Sequence, residues 1–484
     1  MEYGKTSRGG DMVLYGGYSY TKKKEDNGYI RWQCTLQRSS QCRGGMTTDN
    51  VYPYANPRSF AVHNHAASNA TTDAMKCRSD LRQTVQQNVT AKTAPLVANA
   101  LNTLDNVAMA KVGTISSIKR SVQREKAKHR PAEPVTLANI NIQPPWTTTG
   151  GAHPVPFMFF DGGAQDPQRM FIYGTDDCLR HLSQAPEWFM DGNFKLCPQL
   201  FMQLYVIRAR LDEGAISCVY AFLCEKAEIN YTQMLTEIVR KCQVIGVVPA
   251  PRAVKMDFEM AAMNAVRNVF GPLVSLDGCF YHLCQNTWRH IQDLGLVVQY
   301  NASDVVKQFV GMMDGLAFLP VQDIDAGVIV VRNAVPNLAF VPLLQYFLET
   351  YVGVYVINPN NGQLVFQVPL FPPATWNVHD ITLQPQGSRT NNICEGWNNG
   401  FREKLGGIRH PGLYPCIEGL QKDNAEVRLV MVQSQNGRPF RTRTKRNYEI
   451  SQRSLRRACQ LYQNGHYANN IQGYLERISH AIRF

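Results

Sequence analysis

The pattern of apolar and polar positions divides the N-terminal part of the chain into two segments. Residues 11–65 alternate short aromatic and β-branched runs with Gly, Asn, Ser and Asp turn signals, which predicts a small twisted sheet. In residues 66–130 aromatic residues are absent and apolar residues recur at helical spacing before the basic tract IKRSVQREKAKHR. We therefore predict a β-rich module of residues 1–66 and a helical connector of residues 67–130 with a basic end.

The next segments predict a larger domain. Residues 131–159 are rich in proline and contain a Thr-Thr-Thr-Gly-Gly cluster, which predicts a linker or edge segment. Three strand-like runs follow between residues 187 and 226, then a helical stretch near 231–246 and a fourth strand-like run, RAVKMDFE. This order is typical of a mixed α/β sheet.

Farther along, helical and strand-like patterns alternate without a periodic repeat. The run AAMNAVRNVF is predicted as helix and LVSLDGCFYH as strand. Much of residues 283–350 has the apolar spacing of helices, whereas NGQLVFQVPLF has the pattern of a strand.

Length and charge favour several domains and a polyanionic partner. A chain of 484 residues with 44% hydrophobic content predicts two or three domains. Residues 1–130 contain 20 Lys and Arg against 9 Asp and Glu, and residues 421–484 contain 12 against 4, so an overall charge of +12 leaves the middle at −7. Basic ends around an acidic centre suggest arms that bind nucleic acid and carboxylates that bind cations. The alternative is a merely soluble basic protein.

The cysteines are better interpreted as metal ligands or core residues than as disulfides. The start MEYGKTSRGGD lacks the apolar stretch of a secretory signal, and no run approaches the roughly 20 apolar residues that span a bilayer. We therefore expect a soluble intracellular protein without a membrane partner. In that reducing setting a closely spaced set among the 13 cysteines predicts a metal site.

One such set lies in the N-terminal module. Cys34 and Cys42 are followed by His63 and His65 in the arrangement C-x7-C-x20-H-x-H. Two thiolates and two imidazoles complete a tetrahedral zinc shell. Because a module this small buries little apolar surface, zinc would contribute much of its folding free energy. The alternative is a loop with scattered cysteines and histidines.

This module resembles a FLYWCH zinc finger over roughly residues 1–66. The residues that carry the resemblance are Tyr3, the Arg-Gly-Gly near the start, Leu14, Tyr20, Trp32, Cys34, Cys42, His63 and His65. Tyr3 stands where the family pattern opens with Phe. The basic residues interleaved with aromatic ones suit a phosphate-binding surface, although a solvated charged face is the alternative. They are Lys22, Lys23, Lys24, Arg31, Arg38 and Arg43.

Three acids stand at positions that suit a metal centre. Asp191 lies inside the apolar run EWFMDGNF, and Asp257 lies at the end of the run AVKMDFE. Glu395 falls in the first turns of a helix predicted to begin near the Thr and Asn residues of RTNNICEGWNN. Two-metal phosphoryl transfer requires such hard carboxylate ligands. Taken singly, each acid is more often a helix cap or a salt-bridge partner, and Glu259 is predicted to open the helix after Asp257.

The same segments resemble a Mutator-like element (MULE) transposase domain over roughly residues 160–420. The resemblance rests on WFMDGNFKLCPQLFMQLYVI, on the segment from Asp257 to Glu259, on Cys279 to His282 with Gln285, and on RTNNICEGWNN. It implies an RNase H-like mixed sheet with a helical insertion, about residues 285–385. It also implies catalysis by Asp191, Asp257 and Glu395 with Mg²⁺ or Mn²⁺.

Two further features stay open on the sequence alone. Cys279 and His282 match a C-x-x-H pair of these transposases, but a buried thiol and a hydrogen-bonded histidine are the simpler interpretation, and we exclude both from the metal ligands. Residues 421–484 are predicted as a basic helical C-terminal region. Its tract from Arg438 to Arg446, with Arg453, Arg456 and Arg457, suits a DNA grip, a nuclear localisation signal or a solvated helix face.

The combined prediction is a nuclear DNA transposase with an Asp-Asp-Glu triad. The resemblance implies that water cuts a DNA strand and that the freed 3′-hydroxyl then attacks target DNA. Zinc is structural, and the partners are transposon ends and target DNA, with a homo-oligomer left open. The alternative is a domesticated, non-catalytic zinc-finger regulator that binds DNA.

Overall fold

The protein consists of two compact units. The computed structural model describes residues 1–26, 28–87, 93–359, 361–384, 387–440 and 446–483. One unit comprises Met1–Glu133 and the other Pro134–Phe484. The finer boundaries predicted from the sequence, at residues 66, 130, 159 and 420, stay predictions. Among the described residues, no helix is both long enough and apolar enough to cross a membrane.

The first unit begins with a six-stranded antiparallel sheet in which every strand pairs with its neighbours in the sequence. Its fourth strand alternates buried Ile30, Trp32 and Cys34 with more exposed residues, the period of two that the sequence predicts. The Trp32 indole is fully buried and donates a 2.8 Å hydrogen bond to the Thr48 hydroxyl. The strands are β1 Glu2–Lys5, β2 Asp11–Tyr15, β3 Tyr18–Asp26, β4 Tyr29–Cys34, β5 Gly45–Asp49 and β6 Arg58–Ala61.

Helices complete the first unit and pack on the edge of this sheet. Helix α2 contacts β1, where the Lys5 backbone N–H donates to the Ser79 hydroxyl at 2.7 Å. Cys77, Leu81, Val85 and Val122 form part of a separate apolar core between the helices. The predicted β module and helical connector therefore belong to one compact unit. The helices are α1 Gln37–Ser40, α2 Asn69–Gln87, α3 Thr93–Leu101, α4 Asn106–Met109 and α5 Ile115–Lys128.

The second unit is built on a seven-stranded mixed sheet in the order β13-β12-β9-β10-β11-β8-β7. Strands β9, β10 and β11 form an antiparallel meander, whereas β12 runs parallel to β9 and β13 runs parallel to β12. The strands are β7 Met158–Asp161, β8 Phe171–Tyr173, β9 Glu187–Asn193, β10 Gln203–Leu211, β11 Gly214–Leu223, β12 Ala253–Met256 and β13 Ser275–Gly278.

Both faces of this sheet are covered, which explains why its strands are continuous apolar runs. In β9, Trp188 and Met190 belong to one core with helices α7 and α8, whereas Phe189 belongs to the core with α16 and α17. Helix α6 Asp176–Gln184 precedes β9, and α7 Glu228–Val244 follows β11. Helix α8 Met260–Phe270 follows β12, and α9 Phe280–Asp293 follows β13. The last helices are α16 Asn392–Lys404, α17 Leu413–Gln435, α18 Arg446–Gln463 and α19 Ile471–Arg483.

Between β13 and α16 the described chain is mostly helical. A hairpin formed by β14 Val354–Ile357 and β15 Leu364–Gln367 interrupts the helices. The helices after α9 are α10 Val297–Ala302, α11 Asp304–Gly315, α12 Ile324–Asn333, α13 Val341–Phe347, α14 Pro373–Trp376 and α15 His379–Leu383, together with short 3₁₀ turns and the π-helical segment Leu348–Val352.

The C-terminal helices pack on this helical segment. The Tyr474 hydroxyl donates to the Phe318 carbonyl at 2.6 Å, and the Ser479 hydroxyl donates to the Gln308 carbonyl at 3.0 Å. Tyr474 and Ile478 are fully buried. Helices α18 and α19 are therefore part of the core of the second unit, although Arg453 remains exposed on α18.

Two parts of the second unit differ from the sequence-based expectation. Helix α6 and strands β7 and β8 have no counterpart among the predicted elements. The segment predicted as a linker or edge, residues 131–159, packs on the sheet and buries Ile140, Ile142 and Phe157. The Arg169 guanidinium donates to the backbone carbonyls of Leu137 and Ile140, which fixes this segment.

Candidate functional site

The first candidate site is a cluster of two cysteines and two histidines in the N-terminal sheet. The ligand atoms of Cys34, Cys42, His63 and His65 all lie within 4.8 Å of one another. Cys34 Sγ is 3.3 Å from His65 Nε2, Cys42 Sγ is 3.4 Å from His63 Nδ1, and these two imidazole nitrogens are 3.3 Å apart. A tetrahedral zinc shell spaces its ligand atoms roughly 3.3–3.8 Å apart. The cluster therefore fits zinc in both donor type and spacing.

Neighbouring groups hold each histidine with one ring nitrogen toward the cluster. His63 Nε2, on the far side of the ring, lies 2.9 Å from the Tyr20 hydroxyl, and His65 Nδ1 lies 3.2 Å from the Ala66 carbonyl. Burial raises the pKa of Tyr20 to about 12, so its hydroxyl stays protonated. The Ala66 carbonyl can only accept, so it places the His65 ring proton on Nδ1 and leaves Nε2 free to bind metal; the Tyr20 hydroxyl can accept from His63 Nε2 in the same way.

Close packing also fixes the His63 ring. Tyr18 stacks on it with centroids 3.7 Å apart. A side chain at Gly44 would meet the same ring, because a Cβ built there lies 2.3 Å from His63 Nδ1. The Gly44 N–H also points to Cys42 Sγ at 3.4 Å. Glycine at this position lets the β5 chain approach the cluster, and the sequence pattern had not singled it out.

The second candidate site lies where β9 and β12 run side by side. Asp191 is in β9, and Asp257 directly follows the last residue of β12. The register pairs Ala253 with Glu187 and Lys255 with Phe189, so its continuation puts Asp257 opposite Asp191. Neighbouring strands are about 4.8 Å apart. These two predicted acids therefore come from adjacent parallel strands at the same end of the sheet.

Glu395 approaches this end from helix α16. It lies in the first turn, as the sequence predicts. The Asn391 side chain donates to the Met190 carbonyl at 3.0 Å, and the Asn398 side chain donates to Asp191 Oδ2 at 2.6 Å. Asn391 is the N-cap residue, but its side chain bonds β9 instead of capping the helix. Helix α16 is thus held against the strand that carries Asp191.

The charges of Asp257 and His282 act on both of the other acids, Asp191 and Glu395. Burial, reinforced by the Asp257 carboxylate, raises the pKa of Asp191 to about 7. Burial also raises the pKa of Glu395, with His282 opposing this shift and Asp257 adding to it. Among the described residues, only the zinc-type cluster brings three or more ligand atoms within 4.8 Å.

The C-x-x-H pair contacts one of the acids and the start of the helix that carries another. His282 Nδ1 lies 2.7 Å from Asp257 Oδ1, and Cys279 Sγ accepts a 3.1 Å hydrogen bond from the Asn391 backbone N–H. Burial of the ring acts to lower the pKa of His282, yet Asp257 and Cys279 raise it to about 10. His282 is therefore a cation beside the second acid, and Cys279 anchors the start of α16.

Glu259 lies outside the set of three acids. It stands at the N-cap position of α8, as predicted, and its Oε1 accepts a 2.7 Å hydrogen bond from the Tyr231 hydroxyl. Lys226 lies 3.3 Å from its other carboxyl oxygen. One oxygen of Glu259 thus accepts a hydrogen bond from a neutral group, and the other lies beside a cation.

The predicted basic residues of the finger are all exposed, but several have acidic neighbours. Lys22 forms an ion pair with Glu25, and both Lys24 and Arg31 form ion pairs with Asp26. Such exposed pairs contribute about 0–1 kcal/mol, so a phosphate can replace the carboxylate at little cost. In the C-terminal tract, residues 441–445 lie outside the described part of the chain.

The two candidate sites lie in parts of the chain that are similar to known protein domains. Residues 3–66 match the FLYWCH zinc finger domain, and residues 187–286 match the MULE transposase domain. The chain thus joins a FLYWCH zinc finger to a MULE transposase domain, which confirms both resemblances. Asp191, Asp257, Cys279 and His282 lie inside the second match, whereas Glu395 lies beyond it. Neither the search of curated proteins nor that of solved structures gave a match.

Proposed function

We propose that this protein is a DNA transposase of the Mutator-like class that cuts and joins DNA with Asp191, Asp257 and Glu395. The observation that carries the proposal is the approach of three acids from β9, from the end of β12 and from α16 to one end of a mixed sheet. The transposase-domain match gives the class of protein, and the geometry supplies the candidate residues.

The proposed fold of this domain is RNase H-like. In support, the strands β11-β10-β9-β12-β13 combine an antiparallel meander with two strands parallel to its first strand. Asp191 lies in β9, the first strand of that meander, and Asp257 directly follows β12. The proposed insertion, about residues 285–385, corresponds to the mostly helical segment between β13 and α16.

The acidic centre has the donor set that Mg²⁺ or Mn²⁺ requires. Carboxylate oxygens are the preferred ligands of these hard cations. Among the described residues, Glu395 Oε1 is buried without a hydrogen-bond partner, and Asp257 Oδ1 has only the His282 ring at an ion-pair distance. Unsatisfied buried oxygens are costly, and a cation would satisfy them. When bound, the metal ions would supply water activation and charge neutralisation on the leaving oxygen.

The surrounding residues hold these carboxylates in place. Asn398 donates a hydrogen bond to Oδ2 of Asp191. Asn391 ties the helix of Glu395 to the strand of Asp191. Because both partners are amides, they orient the acids without adding a competing charge. Positioning of this kind supplies much of the rate enhancement in phosphoryl transfer.

DNA contact is assigned to the finger and to the basic ends of the chain. A surface groove of about 570 Å³ on the finger sheet is lined by Tyr29, Arg31, Arg58 and Phe60 among others. Guanidinium groups beside the exposed Phe60 ring and the half-buried Tyr29 ring suit phosphates and bases together. With a zinc finger and a DNA substrate, the nucleus is the proposed site of action, and transposon ends and target DNA are the proposed partners.

A cleavage assay tests this function. Purified protein is incubated with DNA that carries the inverted repeats flanking its gene, and we expect strand cuts at the repeat ends with Mg²⁺ or Mn²⁺ and none with EDTA. Scrambled repeats of equal length are the matched control. If the protein binds the repeats but never cuts them, the non-catalytic regulator is the better description.

A second prediction concerns the cation beside Asp257. His282→Ala is expected to destabilise the metal-free protein by about 1–2 kcal/mol, since it leaves a partly exposed carboxylate without its partner near two other acids. Mn²⁺ should restore most of this loss by replacing the missing positive charge. Unfolding temperatures with EDTA and with Mn²⁺ measure both effects.

The control for this prediction is His290→Ala. His290 lies on the same helix α9, but it stacks on Tyr346 at 3.9 Å instead of contacting an acid. Its loss should lower stability equally with and without Mn²⁺. Equal Mn²⁺ responses of the two variants would contradict the assigned role of Asp257 as a metal ligand.

A further inference from the structure

The hairpin β14–β15 exposes an apolar face that the described chain leaves uncovered. Among the strands of the described residues, these two pair only with each other. The register pairs Tyr355 with Phe366 and Ile357 with Leu364, so these four side chains share one face. Their exposed fractions are 69%, 45%, 70% and 66%. A two-stranded sheet with such a face is only marginally stable in water unless another surface packs on it.

The opposite face and the residues after the hairpin extend this surface. Val356 and Val365 face each other on the second side, and both are more than a third exposed. Val368 and Leu370 follow β15 and are also exposed. The Phe366 ring lies against Gly353, where an added Cβ would be 2.2 Å from Phe366 Cζ.

The charge pattern limits what can cover the hairpin. Residues 350–379 contain no Asp, Glu, Lys or Arg, in a chain whose charged content is 18%. A nucleic acid needs cations against its phosphates, so it does not suit this surface. The tip of the hairpin contains the amide side chains of Asn358, Asn361 and Gln363. Insertion of the hairpin into a bilayer would transfer these polar amides into hydrocarbon, which costs free energy, so a membrane does not suit this surface. A neutral apolar protein surface remains as the complementary partner.

We propose that the hairpin packs against the same hairpin of a second copy of this chain. The face is self-complementary, because a two-fold axis would set its aromatic pair and its aliphatic pair against their equivalents. The exposed side chains of two hairpins bury roughly 1,000 Å² in total, the lower limit of a specific interface. Interfaces at this lower limit are typical of weak complexes, so we expect a concentration-dependent dimer.

Sedimentation velocity of the full-length protein without DNA tests this inference independently of any catalysis. The wild type should shift from monomer to dimer between about 1 and 100 μM. The variant Ile357→Glu/Leu364→Glu should remain monomeric over this range, a loss of at least tenfold in affinity, because four like charges would be buried. An equimolar mixture with Ile357→Lys/Leu364→Lys should dimerise again, since opposite charges then meet across the axis.

Two controls separate the interface from a general effect. Leu273→Glu changes an apolar residue that is 97% exposed outside the hairpin, and it should dimerise like the wild type. Circular dichroism should give all variants the same unfolding midpoint within a few degrees. A wild type that stays monomeric at 100 μM overturns the inference, as does a Glu variant that still dimerises. Hairpin-dependent binding of a monomeric wild type to DNA or to lipid vesicles also overturns it.

Discussion

Asp191→Asn is expected to reduce metal-dependent DNA cutting by about 10³-fold or more and to leave DNA binding unchanged. Asparagine keeps the shape of the side chain and the contact with Asn398, but it lacks the charge that holds a divalent cation. Loss of one metal ligand removes several kcal/mol of transition-state stabilisation. In the proposed function, DNA binding is assigned instead to the basic finger and the C-terminal region. Gel-shift and cleavage assays on the same DNA separate the two properties.

The stability of this variant provides the first control. Because burial and Asp257 already raise the pKa of Asp191 to about 7, its negative charge is unfavourable in the metal-free protein. Asp191→Asn should therefore unfold at the same or a higher temperature above pH 7. Asp325→Asn, an exposed acid of helix α12, should cut normally. Normal cutting by Asp191→Asn would show that the catalytic assignment is wrong.

The same pKa gives a pH dependence with a definite sign. Below about pH 7 the metal-free Asp191 carboxyl holds a proton, and above it the group is a carboxylate. Metal binding requires the carboxylate and releases that proton. Mn²⁺ affinity, measured by calorimetry, should therefore rise as the pH increases from 6 to 8. An affinity that is constant over this range would argue against Asp191 as a ligand.

Removal of zinc is expected to unfold the N-terminal sheet. The apolar core beneath it is small, and structural zinc contributes about 10–16 kcal/mol to the folding of comparable modules. Cys42→Ser, or a strong chelator, should therefore expose Trp32, the only tryptophan of residues 1–133. Its fluorescence in the isolated unit of residues 1–133 should shift to longer wavelength, as in an unfolded chain.

Metal analysis gives the matched comparison. The wild type should contain one zinc ion per chain and Cys42→Ser much less. Cys77→Ser replaces a thiol that lies in the helical core of the same unit, and it should keep the full zinc content. If Cys42→Ser retains one tightly bound zinc ion, the ligand set is different from the one proposed.

The zinc ligands were predictable because their chemistry is local and specific. Two cysteines and two histidines within about 30 residues are typical of a zinc site, and the structure brings all four together. The supporting roles of Tyr20 and Gly44 were less accessible. Tyr20 belonged to the family pattern, but its hydrogen bond to His63 depends on how β3 lies beside the loop of the histidines.

The acidic site was predictable in part, for a different reason. A carboxylate inside an apolar run is costly unless it has a partner, so Asp191 and Asp257 stood out on their strands. Asn391 and Asn398 gave no such signal, because asparagine is common near helix starts and on exposed helix faces. Their contacts with β9 span 201 and 207 residues of sequence, and no local pattern reports such a distance.

The end of β13 shows how tertiary packing overrides a local pattern. The run LVSLDGCFYH predicts one continuous strand, but the strand ends at Gly278 and helix α9 begins at Phe280. The Phe258 ring lies so close to Gly278 that a Cβ there would be 2.4 Å from it. Aromatic residues favour strands, but here they pack the first turn of a helix. Short apolar runs do not distinguish these outcomes.

The attachment of α16 to β9 has a consequence for protein synthesis. Asp191 and Asp257 leave the ribosome long before Glu395, and the anchor at Asn391 joins strands completed about 200 residues earlier. A chain that stops before helix α16 would contain Asp191 and Asp257 but would lack Glu395 and the helix that carries it. Premature termination or early proteolysis would therefore release fragments without the third acid of the proposed metal centre, because that centre joins late and early segments of the chain.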